Sequence, residues 1–277
     1  MITMKLKYRN QRNAEATARY WNKPIDKADW YKIEALSEDN TELMIYDVIG
    51  WPFNDAGEII RALAGVTSKT VTVRINSPGG DVFDAMAIFN ALQAHKSKVI
   101  TRVESLAASA ASFIALAGKE VQAYQNAMVM IHDPWVLAAG NQYDLREIAD
   151  ILEKISGNMV DIYSQNSNIG KKEIRDMLKA ETWFTAKEAK EKGFIDTIID
   201  GKAAKAQFDL SMFAHVPDGF TGNDHDEPIA RKYEKALRDV GASKNEARAI
   251  LARGLKSGTL EEEVLAAENL LKIIGGK

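Results

Sequence analysis

At 277 residues, 46% of them hydrophobic and 27% charged, the chain has the apolar material for one large α/β domain, or for a core domain with an appendage, and global disorder is excluded. Its 36 basic and 39 acidic side chains leave a formal charge of -3, so there is no strongly basic face and nucleic acid is not expected as a partner. Cysteine is absent, which removes disulfides, thiolate metal sites and thiol nucleophiles together and agrees with a reducing compartment.

Residues 1–40 are polar, carry scattered aromatics (Tyr20, Trp21, Trp30, Tyr31) and lack sustained periodicity, so they read as an N-terminal arm. The first twenty are charged throughout and suit neither a secretory signal nor a membrane anchor. From Thr41 the pattern changes to short β-rich runs, Leu43 to Val48, Thr70 to Ile75 and Val99 to Val103, alternating with helical stretches at Ala56 to Leu63 and Val82 to Ala94. That rhythm predicts an α/β sheet with crossover connections. The uncharged run from Ser105 to Gly118 is too short to span a membrane and reads as a buried helix, with Ala110 to Leu116 as the helical candidate within it, followed by strands at Val121 to Tyr124 and Met128 to Ile131. Ile148, Ile151, Leu152, Ile155, Met159 and Ile162 recur at spacings of three and four, which predicts a long amphipathic helix over 144–164. A short helix over 171–178 follows, then another over 186–192, ended by Gly193 and succeeded by a strand. The α/β domain therefore covers 41–215. Residues 216–228, with two prolines, two glycines, four acids and no bases, read as an exposed linker. Beyond it, Ser243 with Glu246 and Thr259 with Glu262 have capping-box spacing, and 229–277 reads as a helical extension.

Three segments suggest chemistry. Asn76-Ser77-Pro78-Gly79-Gly80-Asp81 joins a strand to a helix, and its backbone amides can turn toward a ligand; alone it is ordinary turn punctuation. Ala107-Ala108-Ser109-Ala110-Ala111-Ser112-Phe113 surrounds hydroxyls with small residues, which permits close approach to a nucleophile but also describes tight helix packing; Ser105 and Ser112 compete with Ser109. His132 closes an apolar strand in Met130-Ile131-His132-Asp133-Pro134, a position for a general base or for a structural imidazole. Of the other histidines, His95 lies in a Lys-flanked surface segment and His215 and His225 lie at or in the linker. No His, Asp and Glu spacing suits a metal and no phosphate loop of the Lys-Ser/Thr type occurs, so neither metal nor cofactor is expected.

Taken in order, INSPGGDVFDAMAIFNAL, ESLAASAASFIALAG, MVMIHDPW and TWFTAKEAKEKGFIDTI make residues 40–200 resemble a ClpP-type serine peptidase. The resemblance implies a crotonase-like fold of stacked β-β-α units, a ring-type homo-oligomer enclosing its active sites, and the 144–164 helix as the handle between rings. It implies Ser109 as nucleophile, His132 as general base, and the amides of Gly80 and Ala110 as the oxyanion hole. The family's Asp is replaced here by Glu181, ahead of Thr182-Trp183-Phe184-Thr185-Ala186, with Asp176 and Asp196 as fallbacks for the third role. Ala138, Ala139 and Gly140, within 135–141, are candidates for an edge strand that pairs with substrate. The arm, the motif variants and the helical extension are similar to ClpP-related head maturation proteases of tailed phages and prophages. This implies scaffold and capsid proteins as substrates, with self-cleavage as a further possibility, inside the prohead in the host cytoplasm. The alternatives are a cytosolic ClpP-like peptidase working with an AAA+ unfoldase, an acyl-CoA-binding enzyme of crotonase fold, and a non-catalytic assembly protein.

Overall fold

Strand-forming β-branched runs and small-residue helices alternate along the chain, and the side chains of Asp55, Asp81, Asn141 and Thr185 each cap a helix N-terminus. The computed structural model describes residues 31–50, 55–136, 138, 140–201, 208, 210 and 213–217. Residues 1–30, most of the predicted linker and the whole predicted helical extension lie outside the described residues. Among the described residues there are eight strands: β1 (Tyr31–Ala35), β2 (Asn40–Tyr46), β3 (Thr70–Ser77), β4 (Lys98–Ala108), β5 (Glu120–Tyr124), β6 (Met128–Ile131), β7 (Thr182–Thr185) and β8 (Thr197–Ile199). The helices are α1 (Ala56–Ala64), α2 (Val82–Gln93), α3 (Ala110–Ala115), α4 (Gln142–Gln165), α5 (Lys171–Ala180) and α6 (Ala186–Glu191). The strands run in the order β1-β2-β3-β4-β5-β8, parallel from β2 onward, while β6 pairs with β4 and with β7. This is the α/β architecture that the alternating pattern predicts.

β4 is the element that positions the site. Its first half pairs with β5 through Ile100–Val103, and its second half leaves that partner to pair with β6, Leu106 opposite Met128 and Ala108 opposite Met130. Here the structure corrects the broader reading of Ser105 to Gly118 as a buried helix and agrees with the narrower helical candidate, Ala110 to Leu116. The run is buried, but it stays extended through Ala108 and becomes helical only at Ala110. Ala107 is opposite Ser77 of β3 and Val129 of β6, so ladder hydrogen bonds on both sides outweigh the helix propensity of alanine. Two short strands also differ from expectation. β1, placed in the arm by the sequence, pairs antiparallel with β2 (Ile33 opposite Leu43), and β7 pairs antiparallel with β6 (Met130 opposite Trp183). Edge runs of four or five residues are too short to carry a periodic signal.

The main core gathers Leu43, Ile45, Val71, Val73 and Ile75 of the sheet with Ile59, Leu63, Ile88 and Leu92 of α1 and α2. Asp55 caps α1 by accepting from the Gly57 amide at 2.8 Å, and Asp81 caps α2 by accepting from Phe83 and Asp84 at 2.9 and 3.0 Å. α4 opens on a capping box, Asn141 with Asp144, and packs on the core only toward its C-terminal end, where Met159, Val160 and Tyr163 are buried. Ile148, Ile151 and Leu152 are half-buried and Tyr143 and Leu145 are exposed, so the N-terminal half of its apolar stripe is incompletely covered in the single chain. Among the described residues no helix is long and apolar enough to cross a membrane.

The sheet face carries a charged ladder. The Arg74 guanidinium donates to Glu104 at 2.5 Å and to Glu42 at 3.1 Å, and the Tyr46 hydroxyl donates to the same Glu104 carboxylate. Burial and that carboxylate together push the Tyr46 hydroxyl well above its ordinary value. The Glu104 side chain is only 4% exposed. Arg74→Met is therefore expected to leave an uncompensated buried carboxylate and to lower stability by about 3 kcal/mol, read as a fall in the urea midpoint at unchanged slope.

Candidate active site

The junction of β4 and α3 is a sharp elbow at Ser109, whose φ of 52° and ψ of -126° are strained for a residue with a Cβ. The elbow is held from two sides. The Ser109 amide donates to the Met130 carbonyl of β6 at 2.9 Å, and the Ser109 carbonyl accepts from the Ser112 hydroxyl at 2.6 Å. Ser112 Oγ lies 2.6 Å from the hydroxyl of Tyr163 on α4, which is fully buried. Since the one Ser112 proton goes to the Ser109 carbonyl, Tyr163 donates to Ser112. This separates the competing serines. Ser112 anchors the elbow through α4, Ser105 is buried within β4, and Ser109 presents its hydroxyl to the histidine.

β6 ends at Ile131, and its register beside β4 brings His132 to the elbow, with Nε2 at 2.7 Å from Ser109 Oγ. The next residue fixes the exit: the Asp133 amide donates to the Leu178 carbonyl of α5 at 3.0 Å, and its carboxylate accepts from Ser156 of α4 at 2.6 Å. Burial lowers the His132 pKa below the ordinary imidazole value, against the opposing pull of the Glu181 and Asp133 carboxylates. The imidazole is thus neutral at neutral pH and free to accept the hydroxyl proton.

The glycine turn lies against this pair. A Cβ on Gly79 would come within 2.6 Å of Ser109 Cβ and 3.0 Å of the Ala110 amide nitrogen, and one on Gly80 would meet the Ile49 carbonyl oxygen at 2.0 Å. Ile49 donates to the Gly79 carbonyl and accepts from the Asp81 amide, both at 2.8 Å. With those flanking groups turned to Ile49, backbone alternation directs the Gly80 N–H to the opposite edge. The Ala110 N–H, at the first position of α3, has no carbonyl one turn earlier in that helix.

The acid is less simply placed. Glu181 follows α5 in a left-handed conformation, φ 51°, close enough for its charge to favour the protonated form of His132. Its Oε1, however, accepts from the His215 amide at 2.7 Å and from the Trp183 indole N–H at 3.4 Å, and among the described residues no hydrogen bond joins it to His132. Of the fallbacks, Asp196 accepts from the Val121 amide at 2.8 Å at the start of β5, and Asp176 is exposed on α5. Of the candidates for a substrate-pairing strand, Ala138 and Gly140 belong to no strand among the described residues, and Ala139 lies outside them. Gly140 instead precedes the α4 cap, where a Cβ would come within 2.8 Å of Asp144 Cβ.

One neighbour escapes sequence reasoning altogether. Phe213 sets its ring edge-on to His132, with centroids 5.6 Å apart, and edge-on to Trp183 at 5.7 Å. It lies just before the predicted linker, with no periodic pattern around it to signal a packed position. Among the described residues no group of three or more His, Asp or Glu side chains converges as a metal site. The arrangement supplies a nucleophile, a neutral base and fixed backbone donors.

Set beside known proteins, residues 29–202 match the family described as Clp protease. The chain is 35% identical over 139 residues to ATP-dependent Clp protease proteolytic subunit 1 of Streptomyces coelicolor, covering 50% of this chain and 64% of that protein. It is 32% identical over 133 residues to the ATP-dependent Clp protease proteolytic subunit of Bacteroides thetaiotaomicron, covering 47% and 60%. It is 30% identical over 151 residues to proteolytic subunit 2 of Rhodococcus jostii, covering 54% and 77%. The chain thus spans less than two thirds of the length of the first two of these relatives.

Proposed function

The chain belongs to the Clp protease family, and from that premise we propose that it is a serine endopeptidase with Ser109 as nucleophile and His132 as general base. The observation that carries this reading is the 2.7 Å contact between Ser109 Oγ and His132 Nε2 at a strained elbow. His132 takes the hydroxyl proton as Ser109 Oγ attacks a peptide carbonyl, and the Gly80 and Ala110 amides receive the charge on the tetrahedral oxygen. Collapse breaks the C–N bond, His132 returns the proton to the leaving amine, and water, deprotonated by His132, releases the acid and restores the Ser109 hydroxyl. Glu181 orients His132 in this scheme. A crotonase-type acyl-CoA enzyme has no need of the Ser109–His132 pair, and a purely structural protein has no need of the elbow.

Within that activity we place the protein among head maturation proteases of tailed phages or prophages, cutting scaffold and capsid protein in the prohead and acting as a ring-type homo-oligomer. The sequence on either side of the matched residues, an arm before and an acidic linker with a helical extension after, supports the assembly role. The incompletely covered stripe on α4, Ile148, Ile151 and Leu152, supports self-association. A second reading, a peptidase fed by an AAA+ unfoldase, is favoured by the relatives, which are proteolytic subunits of ATP-dependent Clp proteases.

The test is intact mass of the full chain after fluorophosphonate treatment, followed by incubation with scaffold and capsid chains, with and without an unfoldase and ATP. One label and cleavage without ATP is the expected result; degradation only with unfoldase and ATP selects the second reading, and an unlabelled chain overturns both. The labelling rate also has a predicted pH dependence. Because the His132 pKa is lowered from 6.5, the neutral base persists below that value, and the rate is lost only as pH falls through the depressed pKa. A titration from about pH 5 to about pH 8 checks it, and an acid limb centred above 6.5 contradicts the buried base.

A further inference from the structure

On the far side of β4 from the main core is a second apolar cluster, in which Leu106, Ala108, Met128 and Met130 are covered by Leu210 and Phe213. Leu106 and Ala108 immediately precede the nucleophile, so this patch adjoins the reacting centre. Leu210 and Phe213 are 3% and 8% exposed. The same segment reaches the acid: the His215 amide donates to Glu181 at 2.7 Å, while the His215 side chain is 67% exposed and contributes little to packing. Among the described residues the segment's backbone bonds are its own turn, Phe213 amide to Leu210 carbonyl at 3.0 Å, and the bond to Glu181. None of these residues belongs to a strand. Phe208 and Val216 pack on the cluster only partly buried, and His215 Nδ1 lies 4.0 Å from Glu181 Oε1; a cover held by a few side chains, with no strand pairing among the described residues, is one that a competing chain can displace.

We propose that the segment carrying Leu210, Phe213 and His215 is a built-in plug: it fills the apolar patch beside Ser109 and holds Glu181 on its own backbone, so that an apolar substrate residue displacing Phe213 also frees Glu181 to orient His132. This rests on the peptidase reading above and adds its regulation and an apolar preference next to the scissile bond. The plug leads directly into the acidic linker, so tension or cleavage in the linker acts on the same contact.

The experiment is the second-order rate of fluorophosphonate labelling at Ser109 in the full chain. Phe213→Ala, which uncovers the patch, and His215→Pro, which deletes the amide donor, are each expected to raise the rate by about tenfold, while Phe213→Leu stays near wild type. Glu181→Gln is expected to cost about tenfold more in the His215→Pro background than in the unaltered chain, which a packing role alone does not produce. If Phe213→Ala fails to fold by circular dichroism, His215→Pro decides. Wild type labelling at Ser109 as fast as a folded His215→Pro variant overturns the plug and leaves the peptidase reading standing. No labelling in any variant overturns the peptidase reading and the plug with it.

Discussion

Replacing Ser109 by glycine is expected to abolish labelling and peptide hydrolysis while leaving the fold more stable than Ser109→Ala does. The loss of turnover should be about a million-fold, the scale at which removing a nucleophile leaves only binding and oxyanion stabilisation. The stability change comes from the backbone. Ser109 holds φ 52° and ψ -126°, a conformation costing a residue with a Cβ about 1–3 kcal/mol and costing glycine almost nothing. Against this stand the lost hydrogen bond to His132 and the greater freedom of glycine in the unfolded chain, each about 0.5–1 kcal/mol. Ser109→Ala removes the same hydroxyl and keeps the strain, so the comparison isolates the elbow. Denaturant unfolding should rank glycine above alanine; the opposite order would mean that the elbow stores no strain.

Gly80→Ala is expected to be the most damaging change of a residue that contributes no side chain. The added Cβ would lie 2.0 Å from the Ile49 carbonyl oxygen and 2.7 Å from its nitrogen, and φ is 149°. The obstructing atoms are backbone, held by the two 2.8 Å bonds of Ile49 to Gly79 and Asp81, so no rotamer change relieves them. The turn must open, at a cost of about 3 kcal/mol, as for other strained substitutions in packed sites. With Gly80 in the proposed oxyanion role, opening the turn also removes one donor, worth about 100- to 1,000-fold in rate. Thermal unfolding measures the first effect. The second appears as a loss in kcat with KM little changed, because the donor acts on charge that develops in the transition state. A stable Gly80→Ala variant with full turnover would remove Gly80 from the oxyanion hole.

These two positions differ in how they could be known. The order of turn, serine and histidine is written in local signals: Pro78-Gly79-Gly80 between a β-rich run and a helix, small residues around Ser109, and His132 ending an apolar run. Such signals survive in one dimension because each reflects what a short stretch of backbone can do. The alternation of strands and helices is legible for the same reason, as are the long α4 stripe and its approximate bounds. The distinction between Ser109 and Ser112 has no such signature. It depends on Tyr163, on another helix, reaching Ser112 and leaving Ser109 to His132.

The sequence by itself therefore determined the α/β class, the glycine turn and the segments that carry the competing serines and His132, since periodicity and turn chemistry act over a few residues. Only the tertiary structure decided where β4 ends, because Ala107 is paired on two sides by distant strands. It alone decided that Glu181 is engaged by the His215 amide and that Phe213 covers His132, contacts between residues far apart in the chain. Contacts of that kind are set by which elements share a face, and no short stretch of sequence encodes that.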